Sequence, residues 1–258
     1  MDYECILVER DGAFVTITMN LPERRNALSL LHLEELHHAF RRVGSSDARG
    51  VVLAGSGPVF SAGHDLAEVA AADLTAMRRL LWTCTEVMQT MRSIPQVVVA
   101  RVHGLATAAG CQLVASADLA VASESASFAA PGGRGGWFCT TPMVAIGRSV
   151  SRKRALELAL TGDPIDARTA LEWGLVNAVV PDDELDAATF ELLRRATRGS
   201  PASKALGKHA FYTQIDLDEQ KAYAYAVEVM AAASQLPDAR EAVQAFIDKR
   251  EPDFGDRG

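Results

Sequence analysis

Hydrophobic and polar positions alternate between Val15 and Met19, with Val15, Ile17 and Met19 apolar and Thr16 and Thr18 polar. A period of two belongs to a strand with one buried face. Beyond a polar turn at Pro22 to Arg25 the period changes. Leu33, Leu36, Phe40 and Val43 recur at helical spacing, with Glu34 and Glu35 early and Arg41 and Arg42 late. That pattern predicts an amphipathic helix whose charge order complements its dipole. Residues 51–54 are all apolar and end at Gly55-Ser56-Gly57-Pro58, which predicts a buried strand. Asp73 suits the cap of a helix reaching Met91, with Met77, Leu81, Cys84, Val87 and Met91 inward and Pro95 closing it. Residues 97–102 and 119–122 read as the next buried strands, and 104–116 as loop and then helix.

The second half is mostly helical in pattern. Helices are predicted over 152–161, stopped by Gly162, and over 166–173, capped by Asp166 and stopped by Gly174. Four more follow, over 184–198, 201–212, 216–235 and 238–249. A short strand is predicted over 175–180, and no strand signal survives past Pro181. The coarse reading is an α/β core followed by a helical tail.

Composition narrows this picture. The 258 residues are 48% hydrophobic and 23% charged, a globular balance that can bury a core without disulfides. Lys and Arg number 26 against 33 Asp and Glu, a net charge of −7, which argues against nucleic acid as the main partner. No apolar run reaches the ~18–20 residues of a membrane span. The stretch Met1-Asp2-Tyr3-Glu4 is acidic and lacks the pattern of a secretory leader. Cys5, Cys84, Cys111 and Cys139 lie far apart without a CxxC, so reduced thiols in a cytoplasmic protein are expected, with a mitochondrial matrix location left open.

Several chemical motifs fail on inspection. Val59-Phe60-Ser61-Ala62-Gly63 has Val where a nucleophile elbow needs its first Gly, and Gly55-Ser56-Gly57 lacks the third Gly of a dinucleotide loop. His32, His37 and His38 share a helix with Glu34 and Glu35 but lack metal-binding spacing, so a solvated face and no metal site are expected.

Three other segments carry more. They are Arg24-Arg25-Asn26-Ala27-Leu28, Phe60-Ser61-Ala62-Gly63-His64-Asp65-Leu66, and the run from Val102-His103-Gly104 through Ala109-Gly110-Cys111-Gln112-Leu113, each after a predicted strand. Leu160-Thr161-Gly162-Asp163-Pro164-Ile165, Ala170, Trp173-Gly174-Leu175-Val176 and the closing Lys249-Arg250-Glu251-Pro252-Asp253-Phe254 continue the pattern. In this order and spacing they resemble the enoyl-CoA hydratase/isomerase (crotonase) superfamily over nearly the whole chain. The resemblance implies a ββα spiral core over residues 1–197 and a helical trimerisation region over 198–258, giving a homotrimer or a dimer of trimers. It implies no covalently bound cofactor; a CoA thioester is substrate or ligand.

Residue by residue, the resemblance places two oxyanion-hole donors at the N–H groups of His64 and Ala109. Such donors stabilise the enolate-like oxygen formed when the α-carbon of a thioester changes, each worth roughly 2.7–4 kcal/mol in other enzymes. Ala27 and Leu28 would offer backbone to the adenine, with Arg24 or Arg25 near the phosphates. Ala62, Asp65 and Leu66 would flank the pantetheine arm, Pro131 and Trp137 the acyl pocket, and Lys208 and Phe211 would add contacts from a C-terminal helix. The same small residues could instead serve only close helix–strand packing.

The family's nominal reaction is hydration of 2-enoyl-CoA in fatty-acid metabolism, and it uses two glutamates. At their positions this chain has Gln112, which cannot ionise, and Gly132, which has no side chain. Acid–base groups contribute roughly 10²–10⁴-fold each, so inefficient hydration is expected. A non-catalytic acyl-CoA binder, an isomerase and a thioester hydrolase remain alternatives. His64 is expected to contribute its N–H with its ring facing elsewhere. Cys111 and Cys139 are expected to be inert buried thiols.

Overall fold

A computed structural model of the protein describes residues 3–255; Met1 and Asp2 of the acidic start lie outside them. The strands are β1 (Ile6–Asp11), β2 (Phe14–Met19), β3 (Gly50–Gly55), β4 (Val59–Ser61), β5 (Val97–Val102), β6 (Leu105–Thr107), β7 (Leu119–Ser123), β8 (Ser127–Ala129), β9 (Ile165–Asp166) and β10 (Ala178–Val180). The helices are α1 (Leu30–Gly44), α2 (Leu66–Ala71), α3 (Leu74–Ser93), α4 (Ala109–Ser116), α5 (Pro142–Ser149), α6 (Arg152–Thr161), α7 (Ala167–Trp173), α8 (Leu185–Ala196), α9 (Pro201–Gln214), α10 (Glu219–Ala233) and α11 (Pro237–Asp248).

The six-stranded sheet runs β1-β2-β3-β5-β7-β10, antiparallel only between β1 and β2, and the second sheet runs β4-β6-β8-β9. Each turn of the chain places one strand in the large sheet, the next in the small one, and then a helix: β3-β4-α2, β5-β6-α4. This is the expected ββα spiral. It brings the ends of successive short strands side by side, since β4, β6 and β8 are parallel neighbours.

The predicted long elements stand within a few residues of their expected bounds. Ser29, Asp73, Asp166, Ser200 and Asp218 accept hydrogen bonds from first-turn N–H groups at five helix starts. The inward positions of α1 and α3 pack with the apolar β2, β3 and β5 into the main core. The short elements differ from expectation. The supposed loop before α4 contains β6, and β1, β4, β8, α2 and α5 carry too little periodic sequence to be read. The edge strand β1 exposes Leu7 and Val8, which blurs its alternation.

One expectation about a helix face is corrected. His32 is fully buried, because its Nδ1 lies 3.0 Å from the Ala27 carbonyl and α1 presses that face onto the core. Of the three histidines on this helix, His37 and His38 stay near solvent, His38 bonded to the Tyr3 hydroxyl at 2.9 Å. On α10, Ala222, Val229 and Ala233 are half-buried against their own chain. The exposed apolar stripe of that helix is Tyr223, Val227 and Met230, one position around.

Candidate functional site

Asn26 holds the first two site segments together. Its side-chain amide donates to the carbonyls of Ser56, Val59 and Phe60 at 2.9–3.1 Å, and its Oδ1 accepts from Leu21 N at 2.9 Å. Arg25 and Asn26 both sit at positive φ, 54° and 50°, so the chain reverses tightly there. The turn lets Ala62 N donate to Arg25 O at 3.0 Å and Leu28 N to Gly63 O at 2.8 Å, while Leu28 and His64 form a parallel bridge. The buried Ser61 hydroxyl closes the same junction on Asn26 O at 2.9 Å.

The third segment arrives from the small sheet. Gly63, at φ 82°, approaches it so closely that a Cβ there would lie 3.0 Å from Thr107 O and 3.3 Å from Ala109 N. Gly110 faces the preceding strand, where a Cβ would sit 2.4 Å from Ser61 O. Both glycines are therefore required by backbone approach. Ala108 takes φ 52° and ψ −116°, a strained conformation for a residue with a Cβ, costing on the order of 1–3 kcal/mol. That kink starts α4 at Ala109, with the positive end of the helix dipole at its first N–H. Among the described residues, neither the His64 N–H nor the Ala109 N–H has an internal acceptor.

The His64 ring packs toward Trp137. It is largely buried, with Nδ1 3.4 Å from Leu28 O, Nε2 without a partner, and the Trp137 ring 6.4 Å away between centroids. Burial pulls its pKa below that of an ordinary histidine, against the opposing effect of the Leu28 carbonyl. Gln112 is 4% exposed with Oε1 unpartnered, and the Thr107 hydroxyl, which the sequence did not single out, is buried and unpartnered too. On a helix, Gln112 lies one turn from Ala109 on the same face, and its side chain leans back toward that turn.

Pro131 opens a tight turn in which Arg134 N donates to Pro131 O and Trp137 N to Gly132 O at 2.9 Å. The chain folds back so closely that a Cβ on Gly132 would stand 2.1 Å from Trp137 O and 2.7 Å from Cys139 Sγ. The Cys139 sulfur accepts the Gly132 N–H at 3.3 Å. Burial raises the Cys139 thiol and pushes that of Cys111 up to about 12, so both are protonated near neutrality. His103 is held elsewhere, its Nε2 2.8 Å from Gly57 O.

The profile of the enoyl-CoA hydratase/isomerase family matches residues 9–257. The chain belongs to that family. It is 46% identical over 248 residues to the mouse mitochondrial enoyl-CoA hydratase domain-containing protein 3, an alignment covering 95% of this chain and 82% of the relative. It is similar to the crystal structure of a Mycobacterium smegmatis enoyl-CoA hydratase, with a TM-score of 0.94, 44% identity, and 97% and 99% of the two chains covered. The structure of human enoyl-CoA hydratase domain-containing protein 3 superposes with a TM-score of 0.93 at 40% identity, covering 97% and 100%.

The remaining residues implied by the family pattern divide in two. Arg25, Leu66, Trp137 and Phe211 are exposed near or beyond the junction. Asp65 is engaged within the chain: Oδ1 accepts from Ala67 N and Glu68 N while Oδ2 pairs with Arg24. Lys208, expected to add a ligand contact, is engaged within the chain. Its ammonium is buried and donates to Met91 O and Gln96 O at 2.8 Å and to Asp118 at 2.7 Å, which fills its three donor directions within the chain. Among the described residues no helix is long and apolar enough to cross a membrane.

Proposed function

We propose that this enoyl-CoA hydratase/isomerase family chain binds a CoA thioester, with the thioester oxygen at the N–H groups of His64 and Ala109. The observation that supports it best is the pair of amides left without internal acceptors where the 60–66 and 104–113 segments press together. Buried N–H groups are otherwise almost always paired, so two at one junction suit a ligand oxygen. Ala27, Leu28, Ala62 and the Arg24–Asp65 pair line the approach for the CoA arm, and Pro131 and Trp137 the acyl side. Isothermal titration with acetoacetyl-CoA tests this; absence of binding at millimolar ligand ends it.

Water addition by two carboxylates is not the chemistry of this site. Gln112 does not ionise, and the space beside Gly132 is filled by Trp137 O and Cys139. Restoring both glutamates is therefore expected to leave crotonyl-CoA unhydrated, read as a constant enoyl absorbance. A non-catalytic acyl-CoA binder is the second reading, favoured by that same filled space. The four buried thiols suit a reducing compartment such as the cytosol. Tyr223, Val227, Met230 and Phe246, exposed at 59–85%, suit burial between copies in a homotrimer. Light scattering of a Met230→Glu variant checks this, with dissociation the expected result.

A further inference from the structure

We infer that the His64 imidazole, through Nε2, is the proton-transfer group of this site. This rests on the thioester reading above and assigns the chemistry within it. Nδ1 faces the Leu28 carbonyl, an acceptor, so the ring proton lies on Nδ1 and Nε2 is left as a lone-pair acceptor. Nε2 is buried and unpartnered, on a ring packed against Trp137 at the turn that carries Gly132. The ring thus packs on Trp137, the residue whose carbonyl closes over Gly132.

Other groups near the junction are ruled out one by one. Asp65 is held by Arg24 and by two helix N–H groups, and Glu68 accepts from Leu30 N at 2.9 Å. Arg134 pairs with Asp163 at 2.9 Å, and Arg25 is exposed. The Cys111 and Cys139 thiols stay protonated, and the His103 ring, whose Nδ1 is also unpartnered, pairs with Gly57 O rather than packing on Trp137. Gln112 orients a bound group without exchanging a proton. The titration of His64 responds to burial and to the Leu28 carbonyl, with no charged neighbour contributing. A histidine in that state is neutral at neutral pH and ready to accept.

The step balances within the site. The α C–H bond of the thioester breaks and its proton goes to Nε2, giving an imidazolium. The electron pair moves into the bond between the α-carbon and the carbonyl carbon, and the carbonyl pair moves onto the oxygen held by the His64 and Ala109 N–H groups. Return of a proton to the α- or γ-carbon regenerates neutral His64, which yields exchange or a double-bond shift with no oxidant or water consumed.

The test uses the full chain with but-3-enoyl-CoA in D₂O, following α-deuterium by mass spectrometry and binding by calorimetry. His64→Asn keeps the backbone N–H and offers its side-chain amide to Leu28 O, but lacks Nε2. The expected result is binding within about threefold of the parent and exchange at least about 100-fold slower. In the parent, exchange falls about tenfold per pH unit below the lowered histidine pKa, and this limb is missing in the variant. Binding without exchange in the parent, full exchange in the variant, or a parent profile with no acid limb below pH 6.5 overturns the inference and leaves the thioester reading in place. Absence of binding overturns both.

Discussion

Lys208 and His64 both carry polar atoms into the interior, and the protein finishes the two places differently. Around Lys208, the ammonium has three acceptors, and Asp118 also takes the Tyr212 hydroxyl at 2.9 Å and Val98 N at 2.7 Å. Around His64, its own Nε2, the Gln112 Oε1 and the Thr107 hydroxyl are buried with no partner among the described residues. Unmet buried polar groups cost roughly 1–3 kcal/mol each. The satisfied cluster fastens α9 to the sheet. The unsatisfied one is where the proposed thioester would complete the hydrogen bonding.

The contrast can be broken at either end. The largest effect is expected at the satisfied cluster: Lys208→Met leaves Asp118 buried without its cation and should cost about 3–5 kcal/mol in urea unfolding. An unchanged midpoint would make the cluster ornamental. Gly132→Ala comes next, because its Cβ would meet the Trp137 carbonyl; about 1–3 kcal/mol of destabilisation is expected by thermal unfolding.

Acid separates the regions by another route. Burial lowers the pKa of His32 and His64, so below pH 6.5 the unfolded chain binds protons that the folded chain refuses. Stability is therefore full above the unfolded pKa and falls as pH drops below it, by up to about 1.4 kcal/mol per pH unit for each histidine. Urea midpoints between pH 7 and 5 check this, and His32→Gln should flatten the slope. The smallest effect on stability belongs to Gln112→Met, which removes an unpaired acceptor. Stability is expected within about 1 kcal/mol of the parent, while acyl-CoA affinity weakens measurably by calorimetry.

Legibility in the sequence followed the same division. The α1, α3 and β5 patterns are long and periodic, and their caps are local, so they were readable. Asn26 was quoted only as part of a motif, yet its side chain makes four hydrogen bonds to residues up to 34 positions away. Lys208 was expected to contact a ligand, and its internal partners, Met91, Gln96 and Asp118, were hidden because they lie about a hundred residues off. Thr107 gave no signal, since an unpaired hydroxyl is a property of what surrounds it. Ala108 ran against its own signal, because alanine gives no hint of a positive φ.

What the chain order alone determined is the set of repeating strand–helix units and the family they match, because periodicity and motif spacing are one-dimensional. It also determined that positions 112 and 132 supply no carboxylate. Only the tertiary structure decided that the space at 132 is closed by its own turn, that Lys208 is buried in an internal ion pair, and that the His64 ring turns toward Trp137. Those outcomes depend on which distant backbone groups come within a few ångströms of one another, and no local pattern encodes that.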